Sequence, residues 1–164
     1  MRKKNITAAE LIDQLKNDPD YKERAKKRDA ELKPIWDKRK KDEEELVSEI
    51  RKIGYKIDSI YDLVNNKPHE FLERKFIGKY NKAYPILIQH LNKPHEQMIR
   101  EGIIRALTEK DGGEEVEKAL FEQFEKETNN EIKWIIANAL SVVVPKNRHI
   151  EYTEVFKFYA NRNI

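Results

Sequence analysis

Two stretches of this chain repeat each other's apolar spacing 33 residues apart. Ile86, Leu87, Ile88 and Leu91 fall on Ala119, Leu120, Phe121 and Phe124. The same shift carries Ile99, Arg100, Ile103, Ala106 and Leu107 onto Ile132, Lys133, Ile136, Ala139 and Leu140. A self-match at fixed offset marks stacked helical pairs, because one hairpin cannot bury its apolar face alone. The spacing predicts helices over 81–92, 96–109, 114–127 and 130–143, with Asp111-Gly112-Gly113 as a turn and Pro145 as a stop. Tyr152, Val155, Phe156 and Tyr159 predict a terminal helix over 150–160 that covers the open end of the stack.

The leading part is read from its caps. Thr7 and Glu10 have capping-box spacing, which predicts a short helix with Leu11, Ile12 and Leu15 on one face, running to about Asn17. Asp18-Pro19 restarts the chain, with Asp18 as cap and Pro19 at the first helical position. From Asp20 a long helix is expected to about Ile53, bent near Pro34 and closed by Gly54. Tyr21, Ala25, Leu32, Ile35, Leu46, Ile50 and Ile53 fall near one face, interrupted at Arg28, Arg39 and Asp42. Its last two turns, with Leu46, Val47, Ile50 and Ile53, are expected to dock on the body. Asp58 or Ser59 caps a short helix holding Ile60, Tyr61, Leu63 and Val64. Residues 69–79 read as an extra turn or an inserted loop packed by its aromatics. The expected architecture is all-α, with a helical extension over 1–56 and a helical-repeat domain over 57–164.

Charge separates these parts. Charged residues make up 38% of the 164, against the usual quarter, which suits long helices with wet faces and narrow core stripes. Residues 1–53 carry 16 Lys/Arg and 13 Asp/Glu, and residues 54–164 carry 17 of each. All of the +3 excess therefore precedes the repeating part. A nucleic-acid binder usually shows a stronger, more clustered bias. There is no cysteine, hence no disulfide framework or thiolate chemistry. The first residues lack a secretory pattern, and no segment approaches the roughly 18 apolar residues of a membrane span. A cytoplasmic protein is the expectation.

The repeat residues resemble those of HEAT-repeat proteins. Ala83-Tyr84-Pro85-Ile86-Leu87-Ile88-Gln89-His90-Leu91 is similar to that family's first helix, Ala-x-Pro-x-Leu-x-x-Leu. Ile99-Arg100 and Ile103-Ile104-Arg105-Ala106-Leu107 are similar to its second, which opens with Val-Arg and ends in Ala-x-x-Ala-Leu; Ile132-Lys133 and Ala137-Asn138-Ala139-Leu140 repeat it. The acid that often caps the second helix is missing, and Asn130 is the candidate to replace it in the second copy. The resemblance covers roughly 80–143 and implies a right-handed α-α superhelix. The leading segment resembles that of uncharacterised bacterial HEAT-like proteins, and no activity comes with it.

In such stacks the second helices line the concave side, and solenoids act by offering surfaces. Gln97, Glu101, Arg105 and Thr108 form one helical stripe, and the 33-residue shift carries it to Asn130, Trp134, Asn138 and Ser141. Trp134 is either a hot spot ringed by polar groups or a packing residue under the terminal helix. Trp36 either anchors the long helix or meets a partner. Arg100 and Lys133 are expected to reach helix ends or neighbouring acids.

The function expected from these residues is a non-catalytic scaffold gripping a protein or peptide. The alternative is a nucleic-acid binder, by analogy with HEAT-like DNA-repair glycosylases. Lys26, Lys27 and Arg28, with Arg2, Lys3 and Lys4, are the phosphate candidates. Lys38-Arg39-Lys40-Lys41 is followed by Asp42-Glu43-Glu44-Glu45, so this block is expected to pair with itself at i, i+4. His69-Glu70 and His95-Glu96 resemble the dyads of HEAT-like metal hydroxylases, but their 26-residue separation misses the repeat. They are read as loop polar groups, with no metal and no cofactor; His90 is read as a partly exposed helix residue. The chain is expected to be a monomer, or a homodimer through the long helix.

Overall fold

The structure, a computed structural model, describes residues 6–160. Among these residues there are nine α-helices and no strand: α1 (Ala8–Asn17), α2 (Pro19–Asp42), α3 (Glu44–Lys52), α4 (Ile60–Val64), α5 (Tyr84–Leu91), α6 (Gln97–Ala106), α7 (Gly113–Lys126), α8 (Asn130–Val143) and α9 (Thr153–Ala160). Short 3-10 turns, Asn81–Ala83 and Lys146–Tyr152, lead into α5 and α9. No helix among the described residues is long and apolar enough to cross a membrane.

Contacts divide the chain into two compact units, Met1–Lys38 and Arg39–Ile164. In the first, Thr7 Oγ1 accepts from the Glu10 amide at 3.3 Å while Glu10 Oε2 accepts from the Thr7 amide at 2.9 Å, so the capping box starts α1 as expected. Asp18 Oδ1 then accepts from the Asp20 and Tyr21 amides, and Pro19 opens α2 at no hydrogen-bond cost. Neither helix buries a single residue. Leu11, Ile12, Ile35 and Trp36 are all exposed.

The second unit has two rows of helices. Helix α5 packs between α3 and α7, and α6 packs between α4 and α8. The second helices α6 and α8 begin at Gln97 and Asn130, in register with the 33-residue echo. Leu87, Leu91, Ile103, Leu107, Leu120, Phe124, Ile136 and Leu140 are all buried in one cluster, together with Leu46, Val47 and Ile50 of α3. Ile53 lies past the end of α3 and is exposed. Helix α6 approaches α4 closely at Gly102, where a Cβ would stand 2.7 Å from Ile60 Cγ2. Helix α9 packs on α8, and its Phe158 stands edge-on to Phe124 of α7. Buried Glu117 of α7 receives Arg148 at 2.9 Å and the Tyr152 hydroxyl, so an ionic tie supplements the terminal apolar contacts.

Three details differ from expectation. The long helix does not run on to Ile53; it is interrupted at Glu43. Chain division falls after Lys38 rather than near residue 56, because α3 belongs to the second core. His90 is fully buried, not partly exposed, because its helix is covered on that side by α3.

Candidate functional site

Asp42, Glu43 and Glu45 at the α2–α3 junction reach groups outside their own block. Asp42 Oδ2 accepts from the Glu96 amide at 3.0 Å and from His95 Nδ1 at 3.1 Å. Glu43 Oε2 accepts from the Ser59 hydroxyl and the Ile60 amide, both at 2.9 Å. Two consecutive carboxylates thus take orphan donors at the starts of α6 and α4. Arg39 reaches Glu96 at 3.5 Å, and Glu45 reaches Lys93 at 3.1 Å. This corrects the expected Arg39–Glu43 and Lys41–Glu45 pairing: a turn at Glu43 redirects these acids from the helix surface to the body. It also answers the missing cap of α6. For α8 the cap is Asn129, whose Oδ1 accepts from the Glu131 and Ile132 amides; Asn130 is the first helical residue.

Behind this junction lies a buried chain of imidazoles. His95 Nδ1 donates to Asp42, and His95 Nε2 stands 3.0 Å from His90 Nδ1, with the rings stacked at 5.3 Å. His90 Nε2 faces Glu49 at 3.3 Å and Lys93 at 3.4 Å. Burial lowers the His90 pKa, and the Lys93 charge adds to the effect. Neutral His90 then accepts from Lys93, and its protonated form would donate to Glu49. No group of three or more His, Cys, Asp or Glu among the described residues could hold a metal ion. His69 has a local role: its Nδ1 accepts from the Phe71 and Leu72 amides.

The residues facing a cavity lie elsewhere, where the 65–79 loop meets the second helices. Asn66 clamps the loop ends by donating from Nδ2 to the Gly78 carbonyl at 2.9 Å and accepting from the Gly78 amide at 3.4 Å. Gly78 has φ +131°, a left-handed conformation that L side chains rarely adopt. Phe76 anchors the middle, edge-on to Tyr55 at 5.5 Å and Tyr80 at 6.2 Å. The segment is therefore a loop, but only Phe76 packs it. Phe71 is 81% exposed, and Leu72 and Ile77 are more than half exposed.

Two adjoining cavities, about 380 and 500 Å³, share Asn66, Lys67, Thr108 and Glu109 and form one trough. Arg74, Arg105 and Asn138 line the smaller; Lys79, Tyr84 and Asp111 line the larger. Lys79 pairs with Asp111 at 2.9 Å, and the Tyr84 hydroxyl donates to the same carboxylate at 2.8 Å. These contacts, Lys79 first, hold Asp111 down to about 2. Burial, reinforced by Asp111, drives the Tyr84 phenol well above its usual range. The Arg105 guanidinium rests on Glu101 at 2.7 Å, one turn earlier on α6. Arg74 Nε is buried and meets no acceptor among the described residues.

The predicted stripe is thereby divided. Arg105, Thr108 and Asn138 meet in the trough, with Glu101 holding Arg105. Gln97 and exposed Asn130 stand at the opposite ends of α6 and α8, where Gln97 Nε2 donates to Glu131 Oε2 at 3.2 Å. Trp134 is half-buried, stacked on Tyr159 of α9 at 5.3 Å, and the Tyr159 hydroxyl donates to Asn138 Oδ1 at 3.1 Å. Arg100 reaches Glu127 at 2.6 Å, an acid of the neighbouring hairpin, as expected of a structural cation. Burial opposes ionisation of Glu127, but the Asn129 amide and Arg100 outweigh it and hold its pKa below the usual value. Lys133 lies over the Phe124 ring at 4.6 Å. Lys26, Lys27 and Arg28 sit on exposed turns of α2 in the first unit, and Arg28 pairs with Asp29 at 3.3 Å. Arg2, Lys3 and Lys4 lie outside the described residues.

Sequence reasoning missed Lys67, Arg74, Lys79, Tyr84 and Asp111. A signal was present: residues 67–79 hold Lys67, Arg74, Lys75 and Lys79 against only Glu70 and Glu73. Without periodicity, nothing in the chain says which way those cations face. Comparison with protein-family models finds no match, and comparisons with curated proteins and with solved structures find none either.

Proposed function

We propose that this chain is a non-catalytic interaction module, a short HEAT-like superhelix whose second helices and 65–79 loop grip a protein or peptide in the cytoplasm. One observation carries the reading. Arg105 and Asn138, at matched positions of successive second helices, share a walled trough with Thr108 and the loop. A concave polar surface built on rigid helices is what a binding module needs. Two rows of helices and the shared 33-residue register support the superhelix. The DNA-glycosylase-like alternative fits less well. Glu101 occupies Arg105, and Glu109 and Asp111 line the same trough, where a phosphate chain would meet repulsion.

The test uses Arg105→Glu and Lys67→Glu in the full chain, both at exposed positions. Each is expected to leave the thermal midpoint unchanged and to reduce capture of protein partners by the tagged chain from lysate. An unaltered partner set with both substitutions present would sink the reading.

A further inference from the structure

Resting on the interaction module above, we propose that the smaller cavity is an anion-recognition centre that takes a carboxylate side chain from an acidic, apolar-flanked segment of a partner protein.

Three cations converge there, Lys67, Arg74 and Arg105, against Glu109 as the acid lining the cavity. They are not equivalent. Arg105 is already held by Glu101, which fixes its guanidinium beside the cavity. Lys67 and Arg74 have no ion pair among the described residues, and the buried Arg74 Nε has no acceptor there. Arg74 lines the cavity without an ion pair, and a carboxylate offers two acceptor atoms matched to a planar guanidinium.

The neutral groups nearby point the same way. Asn138 lines the cavity, and with its Oδ1 taken by the Tyr159 hydroxyl its remaining side-chain capacity is as a donor through Nδ2. Asn66 Nδ2 donates to the Gly78 carbonyl, which fixes this side chain as part of the wall. At about 380 Å³ the space suits one or two side chains, not a folded surface.

The apolar preference comes from the loop itself. Phe71, Leu72 and Ile77 are exposed on the segment that carries Arg74, while Phe76 holds that segment to the body. An exposed aromatic and two aliphatic side chains on the same loop as Arg74 fit a peptide that alternates acidic and apolar residues. A nucleic-acid strand fits worse, because its run of phosphates would extend into the larger cavity, where Asp111 joins Glu109, whereas a single carboxylate needs only the smaller one, where three cations face Glu109.

The experiment follows the Arg Nε–H resonances of the nitrogen-15-labelled full chain by NMR. The probes are a short acetylated peptide alternating Glu with Phe and Leu, the same peptide with Gln for Glu, and single-stranded oligothymidylate. The acidic peptide is expected to shift the Arg74 signal saturably. Lys67→Ala should weaken its binding about tenfold, as for loss of one charge-assisted contact. Arg74→Gln should abolish the peptide's effect on the Arg105 signal at unchanged thermal midpoint; should the loop shift in that variant, Lys67→Ala at an exposed site decides alone. Equal binding of the Gln peptide, no Arg74 shift with either peptide, or tighter binding of the oligonucleotide would overturn the proposal. Partner capture that still depends on Arg105, alongside any of those results, would leave the interaction module standing and remove only its preference for acids.

Discussion

The two compact units carry similar helices and use them differently. Met1–Lys38 has 11 Lys/Arg and 8 Asp/Glu, and its two helices leave Leu11, Ile12, Ile35 and Trp36 exposed. Arg39–Ile164 has 22 of each sign and buries its core cluster. Excellent caps at Thr7 and Asp18 do not make a core. Caps satisfy orphan amides at helix ends, whereas burial needs a second apolar face on the other side of the stripe. The 33-residue echo supplies such faces in the second unit through α5–α6 and α7–α8, and α3 and α4 pack on the first of these pairs.

The chain has two tryptophans, Trp36 in the first unit and Trp134 in the second, so fluorescence can follow each unit by itself once the other is changed to Phe. The largest contrast is expected from truncation. Leu107→Ala should lower stability read at Trp134 by about 2–5 kcal/mol, while Leu11→Ala or Ile35→Ala should change it by less than about 0.5 kcal/mol. Similar losses at both kinds of site in denaturant titrations would erase the distinction between the units. Next comes overpacking: Gly102→Ala drives a methyl into Ile60 and should cost about 1–3 kcal/mol, measured the same way. Asp42→Ala removes the acceptor for Glu96 and His95 and should cost about 1–2 kcal/mol; no loss would mean that the start of α6 is satisfied without α2.

A smaller effect is expected from pH. The folded-state pKa of His90 lies below its ordinary 6.5, so the unfolded chain binds the proton more readily. Stability of the second unit is therefore fully present above about pH 6.5 and falls as the pH drops toward the lowered value. The groups facing His90 are Glu49, Lys93 and His95, and Glu45 pairs with Lys93 beside them. The Trp134 melting midpoint should fall between pH 7 and about pH 5, and His90→Gln should flatten that slope. A slope of equal size in His90→Gln would place the titrating group elsewhere. The smallest change is expected from Trp36→Phe, within about 0.5 kcal/mol, since the side chain is 46% exposed.

Much of this molecule was legible in the chain. Helix type and the core stripe follow from periodicity, which is local and dense in the repeats: Leu87, Ile103, Leu120 and Ile136 stand at positions that only a helix brings to one face. Thr7 and Asp18 were readable as caps, and Asp58 or Ser59 as a third that the structure assigns to Ser59, because a cap bonds within three residues of itself. Arg100 was readable as structural because its partner Glu127 lies in the neighbouring hairpin. The candidate site was only half legible. The stripe predicted Arg105 and Asn138, while Arg74 and Lys67 stayed hidden in a loop with no period to orient them.

By itself, the sequence determined the helical class, the 33-residue stacking register and which residues are apolar enough to form the core. These depend on spacings within a helix and on transfer from water, both set by neighbours in the chain. Tertiary structure alone decided where the acids of the α2–α3 junction go, that His90 is sealed from water, that Trp134 lies under Tyr159, and that the 65–79 loop faces Arg105 and Asn138. Each of these joins residues far apart in the chain, from Trp134 and Tyr159 to Asp42 and Glu96. A charge or hydroxyl has several possible partners of equal chemistry, and only the packing of the apolar rows determines which one it meets.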